Sequence, residues 1–267
     1  MKKILLNGVD GNFGGKAAKI LLDKYPHEAL VFTAPTERGL LTYQEMGIET
    51  RIADFYNPDK LTETFRDIDT YEVNDHIWTE EYIKEQPIHY LILRNSQYAE
   101  AMVSSFVEAY ENTNGILANN MGDGKMAYIS RDDCALAAAS AAMSDWEDRI
   151  INVNGAELLT IREYVEIASE VTGKKVTYQY IDDAQMYAYF DSIGVPRTTE
   201  EMWADTAKNF PFCSDGMVTF GRAIRLNQMN TFTDDFEKLT GCRPLTVREI
   251  FEDMENHLIG TRTSTDD

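Results

Sequence analysis

The segment GVDGNFGG at 8–15 constrains the fold more than any other part of the sequence. It follows the short apolar run KKILLN (2–7) and precedes KAAKILLDK (16–24), whose apolar residues share one helical face. Its glycines therefore lie in the turn between a predicted strand and a predicted helix. There, the first glycine permits a tight turn, the second lets a pyrophosphate approach the backbone, and the third lets helix and strand pack closely.

The backbone of this loop, more than its side chains, is expected to bind the ligand. Amide N–H groups at the start of a helix point at an anion and add the partial positive charge of the helix dipole. An ordinary tight turn without a ligand is the alternative. The spacing predicts a dinucleotide-binding loop made of Gly8, Asp10, Gly11, Asn12, Phe13 and Gly14.

The alternation of strand and helix continues beyond the loop. Apolar runs alternate with segments of helical periodicity, and Gly47 ends one of the helical segments. This order indicates an α/β fold with a Rossmann-type, doubly wound parallel sheet. The further strands are predicted at 28–34 and 48–55, and the helices at 37–47 and 58–68.

Residues that follow the second predicted strand decide between NAD and NADP. An acidic residue there would bind the ribose 2′-hydroxyl, whereas an arginine suits a 2′-phosphate. The sequence offers Thr33, Glu37 and Arg38. Arg38 favours NADP, while Glu37 would oppose a phosphate, so NAD stays possible. Asp54, after the third strand, is expected either at the adenine edge or as the cap of the next turn.

The regular alternation breaks down after residue 68. A dinucleotide-binding sheet normally continues with a strand, a helix and a strand, which together take roughly 40–50 residues. Here only DTYEVND (69–75) precedes the helix-like DHIWTEEYIKEQ (75–86), and it contains no run typical of a buried strand. The sequence predicts that the fourth and fifth strands are missing and that the first strand has an unpaired edge. Three explanations of the missing segment stay open: a natural compact variant, an engineered or otherwise truncated chain, or a partner subunit that completes the sheet. An unpaired edge invites pairing with a second copy, so a homodimer is expected.

The second half of the chain predicts a smaller, mainly helical substrate lobe. The apolar strand IHYLILRN (88–95) is followed by QYAEAMVSSFVEAYE (97–111), an amphipathic helix. LTIREYVEIASEVTGKK (159–175) carries a capping box at its start and a terminating glycine near its end. We expect a dinucleotide-binding domain at 1–150, a C-terminal lobe interwoven with it at 151–259, and a flexible tail at 260–267.

The charge and composition exclude several classes of partner. With 45 acidic and 25 basic residues, the net charge of −20 repels nucleic acid and anionic lipid. The 3 cysteines and 4 histidines are scattered, so neither a disulfide framework nor a metal site is predicted. No signal peptide and no apolar stretch of membrane-spanning length is found. We therefore expect a cytoplasmic protein without nucleic-acid or membrane partners.

The glycine loop is the first of several segments that together resemble a known family. They are GVDGNFGG (8–15), DHIWTEEYI (75–83), YLILRNSQYAEAM (90–102), GDGKMAYISRDDCALAAA (122–139), VNGAELLTIREYVEIASEVTGKKVTYQ (153–179) and DDFEKLTGCRPLTVREIF (234–251). In this order they resemble the NmrA-like atypical short-chain dehydrogenases, especially the quinone oxidoreductase and triphenylmethane reductase group. The resemblance implies an NADP-dependent reductase, with NAD possible, that passes hydride to a small aromatic or conjugated acceptor such as a quinone, dye or enone. Some relatives bind the dinucleotide and a protein partner without turnover, which is the alternative.

The same resemblance implies catalytic roles for two residues. His76 matches the family's histidine on the helix before the LRN strand, and we expect it either to donate a hydrogen bond to the acceptor's oxygen or to serve only the start of its helix. Asn95 and Tyr98 follow a strand at the carboxyl edge, where parallel sheets place ligands. Asn95 is assigned to the cofactor, and Tyr98 to the nicotinamide or substrate, with packing as its alternative. An apolar lid or part of the core is predicted for Tyr178, Tyr180, Tyr187, Tyr189 and Phe190.

The resemblance implies a protein without the catalytic Tyr-xxx-Lys pair of ordinary short-chain dehydrogenases, because members of this family generally lack it. Without that acid, ketone and alcohol chemistry is not expected. A quinone or conjugated enone needs less help, because the developing charge is delocalised and water completes the protonation.

Overall fold

The structure, a computed structural model, describes residues 3–53, 70–71, 80, 83–85, 89–198, 210 and 212–259. Its N-terminal part forms a parallel sheet with helices between the strands, as the sequence predicts. The elements are β1 (Ile4–Asn7), α1 (Asn12–Lys24), β2 (Leu30–Ala34), α2 (Leu41–Glu45), β3 (Glu49–Ile52) and β4 (Thr70–Tyr71). The spatial order is β3-β2-β1-β4, and every pairing is parallel.

The residues of β1 and β2 explain why this sheet forms. β2 is buried along its whole length, which matches its continuous apolar run, because a central parallel strand is covered on both faces. Leu30 and Phe32 are fully buried and pack with Ile4 and with Leu21 of α1. Burial of each such side chain contributes about 1.5–3 kcal/mol to folding.

The expectation of an unpaired edge on β1 is wrong. Thr70 and Tyr71 form the short strand β4, which pairs with Ile4 and Leu5 of β1. The prediction failed because a strand this short carries no apolar run that sequence reading can detect. The expected homodimer loses the reason given for it, since the edge beside β1 is paired.

The second half of the chain adds further strand pairs and helices. β5 pairs in parallel with β8, and β6 with β10, while β7 and β9 are antiparallel. The strands are β5 (Leu91–Asn95), β6 (Ile116–Asn119), β7 (Lys125–Met126), β8 (Arg149–Val153), β9 (Leu159–Thr160) and β10 (Thr177–Tyr180). The helices are α3 (Ala99–Asn112), α4 (Arg131–Met143), α5 (Ile161–Thr172), α6 (Asp183–Ser192), α7 (Ser214–Arg225), α8 (Asp235–Thr240) and α9 (Val247–Glu252).

The predicted helix boundaries at α5 are confirmed in detail. The Thr160 hydroxyl accepts from the Glu163 N–H at 3.2 Å, and the Glu163 carboxylate accepts from the Thr160 N–H at 2.8 Å. Gly173 ends the helix in the left-handed conformation, with φ of +68°. Both signals are local, which is why they could be read from sequence alone.

Helix α4 packs directly on α1 and so connects the two halves. Its alanines are buried with those of α1, in one cluster that includes Ala17, Ala18, Ala135 and Ala139. Small side chains let two helices approach closely. The strand β8 runs through residue 150, where the sequence places a domain boundary, and pairs with β5 before it.

In the part of the chain described here, no helix has the length and apolar character needed to cross a bilayer.

A buried ion pair joins the end of the described chain to the start of α3. His257 Nδ1 lies 3.3 Å from Glu100 Oε1, and both side chains are at most 4% exposed. Burial alone would raise the pKa of Glu100, but hydrogen bonds from His257 and the Arg131 N–H lower it below its usual value. The bond to Glu100, with help from the charges of Asp132 and Asp253, raises the pKa of His257.

We predict a specific pH dependence of stability from this pair. Because the pKa of His257 is raised on folding, its contribution is complete below its ordinary pKa of about 6.5 and is lost as the pH rises through the folded value. Urea unfolding between pH 6 and 9 should therefore show a falling free energy of unfolding. In Glu100→Gln that slope should flatten or reverse, because a buried histidine without a carboxylate prefers to be neutral. An unchanged slope in the variant would show that the pair does not carry the effect.

Candidate functional site

The glycine loop follows β1 and is held down by the end of β2. Gly8 has φ of +71°, a conformation that glycine adopts without strain. Its N–H donates to the Thr33 carbonyl oxygen at 2.8 Å, and the Val9 N–H donates to the same oxygen at 3.2 Å. The Thr33 hydroxyl donates to Asn7 Oδ1 at 2.6 Å. Thr33 is fully buried, so the structure places it beneath the loop, as its anchor.

The start of α1 presents backbone N–H donors that have no partner within the helix. Gly11 is the N-cap, and no side chain caps the helix. Its own N–H donates to the Gly8 carbonyl oxygen at 3.0 Å. The N–H groups of Asn12, Phe13 and Gly14 have no carbonyl partner within the helix, as in any first turn. Together with the helix dipole they suit an anion such as a diphosphate.

Gly14 brings the helix close to the loop, as the third glycine of the motif is expected to do. A Cβ at this position would lie 2.1 Å from the Gly8 carbonyl oxygen, closer than atoms can pack. At Gly11, which is exposed, that same oxygen, at 3.3 Å, would be the one heavy atom of the described residues within 4 Å of such a carbon, the two chain neighbours left aside. A side chain at position 11 would therefore have room, whereas a side chain at position 14 would collide with backbone atoms.

The turn after β2, which carries Arg38, lies against Asp10 of the glycine loop. Gly39 follows Arg38, and a Cβ at Gly39 would lie 2.8 Å from the Asp10 Cβ, so the turn after β2 packs against the loop. Arg38 is exposed and forms no ion pair with any described residue. The Tyr43 hydroxyl donates to the Val9 carbonyl oxygen at 3.2 Å, and burial, with the charge of Asp10, raises its pKa.

Asn95 and Tyr98 lie at the carboxyl end of β5, as predicted. Asn95 Oδ1 is buried and accepts no hydrogen bond from the described residues. Tyr98 precedes α3, and the Arg131 guanidinium lies 5.3 Å from its ring centroid. Tyr98 and Phe13 both pack on one apolar cluster with Leu93, which links the glycine loop to the end of β5. Tyr98 therefore packs in this cluster, and its predicted contact with the nicotinamide or substrate stays a prediction.

Three of the predicted site features lie outside the described residues. They are His76, Asp54 and the side chain of Asn12. The roles expected for them stay predictions.

A cavity of about 730 Å³ lies near the end of β5, and Gln97, two residues after Asn95, is part of its lining. Gln97 lines it at the end near β5, and its walls come from α3, β6, α6 and α7. Most of the lining is apolar. Such a size and character suit a small aromatic ligand.

Only part of the predicted aromatic lid faces this cavity. Tyr189 and Phe190 line it, together with Met186. Tyr178 is buried in the main core, with the Arg162 guanidinium over its ring. Tyr187 lies under Arg197, whose guanidinium is 4.2 Å from the ring centroid. The sequence spacing could not separate these environments, because aromatic residues on adjacent elements look alike before the elements are packed.

Sequence reasoning missed Asn119 and Asn120, which line the floor of the cavity. Both residues are buried: Asn119 is 7% exposed and Asn120 is 1% exposed. The available signal was a pair of amides ending the apolar strand ILAN, where a buried polar side chain requires partners.

Comparisons with known proteins support the resemblance. No family model matches the chain. It is 32% identical over 134 residues to quinone oxidoreductase 2 of Escherichia coli, covering 50% of this chain and 46% of that protein. It is 21% identical over 231 residues to an NmrA-like family domain-containing oxidoreductase of Aspergillus flavus, covering 67% of this chain and 74% of that one. The chain spans about half the length of most of the curated relatives it matches.

Solved structures show the same fold. An NADPH-dependent quinone oxidoreductase of Escherichia coli, complexed with NADPH, superimposes with a TM-score of 0.81 at 20% identity, covering 95% of this chain and 100% of that one. Triphenylmethane reductase of Citrobacter, complexed with NADP(H), gives 0.79 at 21% identity, covering 94% and 100%. The fold of this chain is therefore the Rossmann-type α/β fold that the glycine loop predicts.

The glycine geometry predicts different effects for two alanine substitutions. Gly14→Ala should destabilise the protein by about 2 kcal/mol or more, because its methyl group has only backbone to displace. Gly11→Ala should cost about 1 kcal/mol or less, since its methyl group points into open space apart from one tight contact. Chemical denaturation of both variants measures the difference. Equal losses would contradict the packing described for Gly14.

Proposed function

We propose, from the resemblance to NmrA-like reductases, that this chain is an NADP-dependent reductase of a conjugated acceptor such as a quinone, a dye or an enone. The observation that carries the proposal is the start of α1, where three N–H groups have no helical partner and no side chain caps the helix. Two further features support it: the fold shared with NADPH-bound reductases and the apolar cavity that begins beside β5.

Separate residues are proposed to bind the diphosphate, the 2′-phosphate and the nicotinamide end of the dinucleotide. The N–H groups of Asn12, Phe13 and Gly14 would hold the diphosphate. Arg38, exposed beside the loop, would pair with a 2′-phosphate. Asn95 Oδ1, which lacks a donor among the described residues, would accept from a carboxamide N–H at the nicotinamide end. The acceptor would then lie in the cavity bordered by Gln97.

A bound reduced nicotinamide supplies the hydride. The residues of this chain would position the acceptor and exclude water from it, since the cavity walls are mainly apolar. Tyr98, with the Arg131 guanidinium over its ring, would flank the nicotinamide at the start of α3. His76 is proposed to donate to the acceptor's oxygen, as the resemblance implies. No tyrosine–lysine acid is needed, because a conjugated product anion is protonated by water.

A dinucleotide sensor without turnover is the second candidate. The sequence favours it, because only DTYEVND (69–75) stands where a strand, a helix and a strand with their loops normally surround the nicotinamide. The glycine loop would serve a sensor equally well. The two candidates therefore differ in turnover and not in cofactor binding.

Turnover separates these candidates directly. We expect the protein to oxidise NADPH in the presence of a quinone panel, followed as loss of absorbance at the nicotinamide band. Thermal shift with NADPH gives binding in the same samples, because a ligand of the native state raises the melting temperature. Binding without oxidation of NADPH by any quinone would favour the sensor. Absence of both would refute the dinucleotide-binding proposal itself.

Arg38 is expected to set the phosphate preference. Arg38→Ala should weaken NADPH binding about tenfold, the equivalent of one charge-assisted hydrogen bond, and leave NADH affinity unchanged. The matched control is Arg248→Ala, which removes an arginine of α9 whose partner is Glu170. Calorimetric titration of the three proteins with both cofactors gives the ratio. An equal loss for NADPH and NADH would show that Arg38 does not contact the 2′-phosphate.

A further inference from the structure

Asn119 is a buried amide with a fixed orientation. Its Oδ1 accepts from the Met121 N–H at 3.0 Å and from the Tyr178 hydroxyl at 3.1 Å. That hydroxyl in turn accepts from the Gly122 N–H at 2.9 Å, so its own proton is directed to Asn119. A backbone N–H can only donate, and therefore the oxygen of the Asn119 amide must face Met121.

The other half of the Asn119 amide has no protein partner in the described chain. Oδ1 is committed to two donors, which leaves Nδ2 with two N–H bonds and no acceptor among these residues. The residue is 7% exposed, and it lines the cavity. Nδ2 is not among the fully buried side-chain atoms that lack a partner, so it keeps some accessible surface, from which it can donate to a ligand or to water.

Asn120, the next residue, shows what a purely structural amide looks like here. Its Nδ2 donates to Asp183 Oδ1 at 2.8 Å and to the Val218 carbonyl oxygen at 2.9 Å. Gly221 makes room for it, since a Cβ there would lie 1.9 Å from Asn120 Oδ1. Asn120 thus ties β6 to α6 and α7. Asn119 Nδ2, in contrast, donates no hydrogen bond to another described element.

We propose that Asn119 Nδ2 donates a hydrogen bond to an oxygen of the ligand in this cavity, which makes Asn119 a specificity-determining residue. The ligand class is a flat or aromatic, mainly apolar molecule that carries a carbonyl or ether oxygen. Hydrocarbons of the same shape are discriminated against, because they leave the donor unpaired. This inference rests on the proposed function only for the identity of the ligand as the hydride acceptor. Binding in the cavity needs no dinucleotide.

The test uses two probes of matched shape, benzophenone and diphenylmethane, which differ by one carbonyl oxygen. Benzophenone reacts with nearby C–H bonds under light, so peptide mapping shows where it binds and its labelling yield gives its affinity. Diphenylmethane is measured by competition with that labelling. Asn119→Asp is the informative variant, because a carboxylate still accepts from Met121 and Tyr178 but has no N–H. Gln228→Glu, an amide-to-acid change in the exposed turn after α7, controls for the added charge.

In the wild type we expect labels on α3, on β6 or on α6, and benzophenone to bind at least fivefold more tightly than diphenylmethane. Asn119→Asp should abolish this preference, and Gln228→Glu should keep it. If Asn119→Asp fails to fold, Asn119→Leu removes the same donor without a charge, and it is judged by the same ratio. Labels elsewhere, or a preference that survives loss of the donor, would overturn the inference. Neither result depends on NADPH binding, whose absence would instead refute the proposed function.

Discussion

The two hydrogen bonds from Gly8 and Val9 to the Thr33 carbonyl oxygen hold the rest of the site in place. They fold the chain back over the end of β2 and aim α1 so that its first N–H groups face outward. The geometry is possible because Gly8 takes a positive φ and Gly14 has no side chain to strike the Gly8 carbonyl. Without this turn, α1 would not reach its position on the sheet, and neither the proposed anion-binding end nor the contact with α4 would form.

The features that sequence reading predicts well are those set by neighbours in the chain. The glycine loop depends on eight consecutive residues, and the cap of α5 depends on Thr160 and Glu163, one turn apart. Their backbone conformations follow from local sterics and hydrogen bonds, so the pattern alone indicates them. The same holds for the buried run of β2.

The features that sequence reading does not predict depend on residues that are far apart in the chain. β4 is a strand because Thr70 and Tyr71 meet β1, and nothing in their own residues indicates this. The Asn119 amide is oriented by Tyr178, 59 positions along the chain. Which aromatic residues line the cavity depends on how α6 packs against α3, which periodicity cannot specify. His76 and Asp54 stand on family resemblance and residue type alone.

The close contact of α1 with α4 has a consequence for how the two binding regions relate. The buried alanines of the two helices pack closely against each other. Lys16 of α1 also forms an ion pair with Asp132 at the start of α4. The next residue towards the N-terminus, Arg131, lies over Tyr98, which precedes the α3 wall of the cavity. The start of α1 and the α3 side of the cavity are thus connected through packed and ion-paired residues. A diphosphate at α1 and an acceptor in the cavity, as proposed above, would each meet a surface held by this packing, which lowers the cost of ordering that surface on binding.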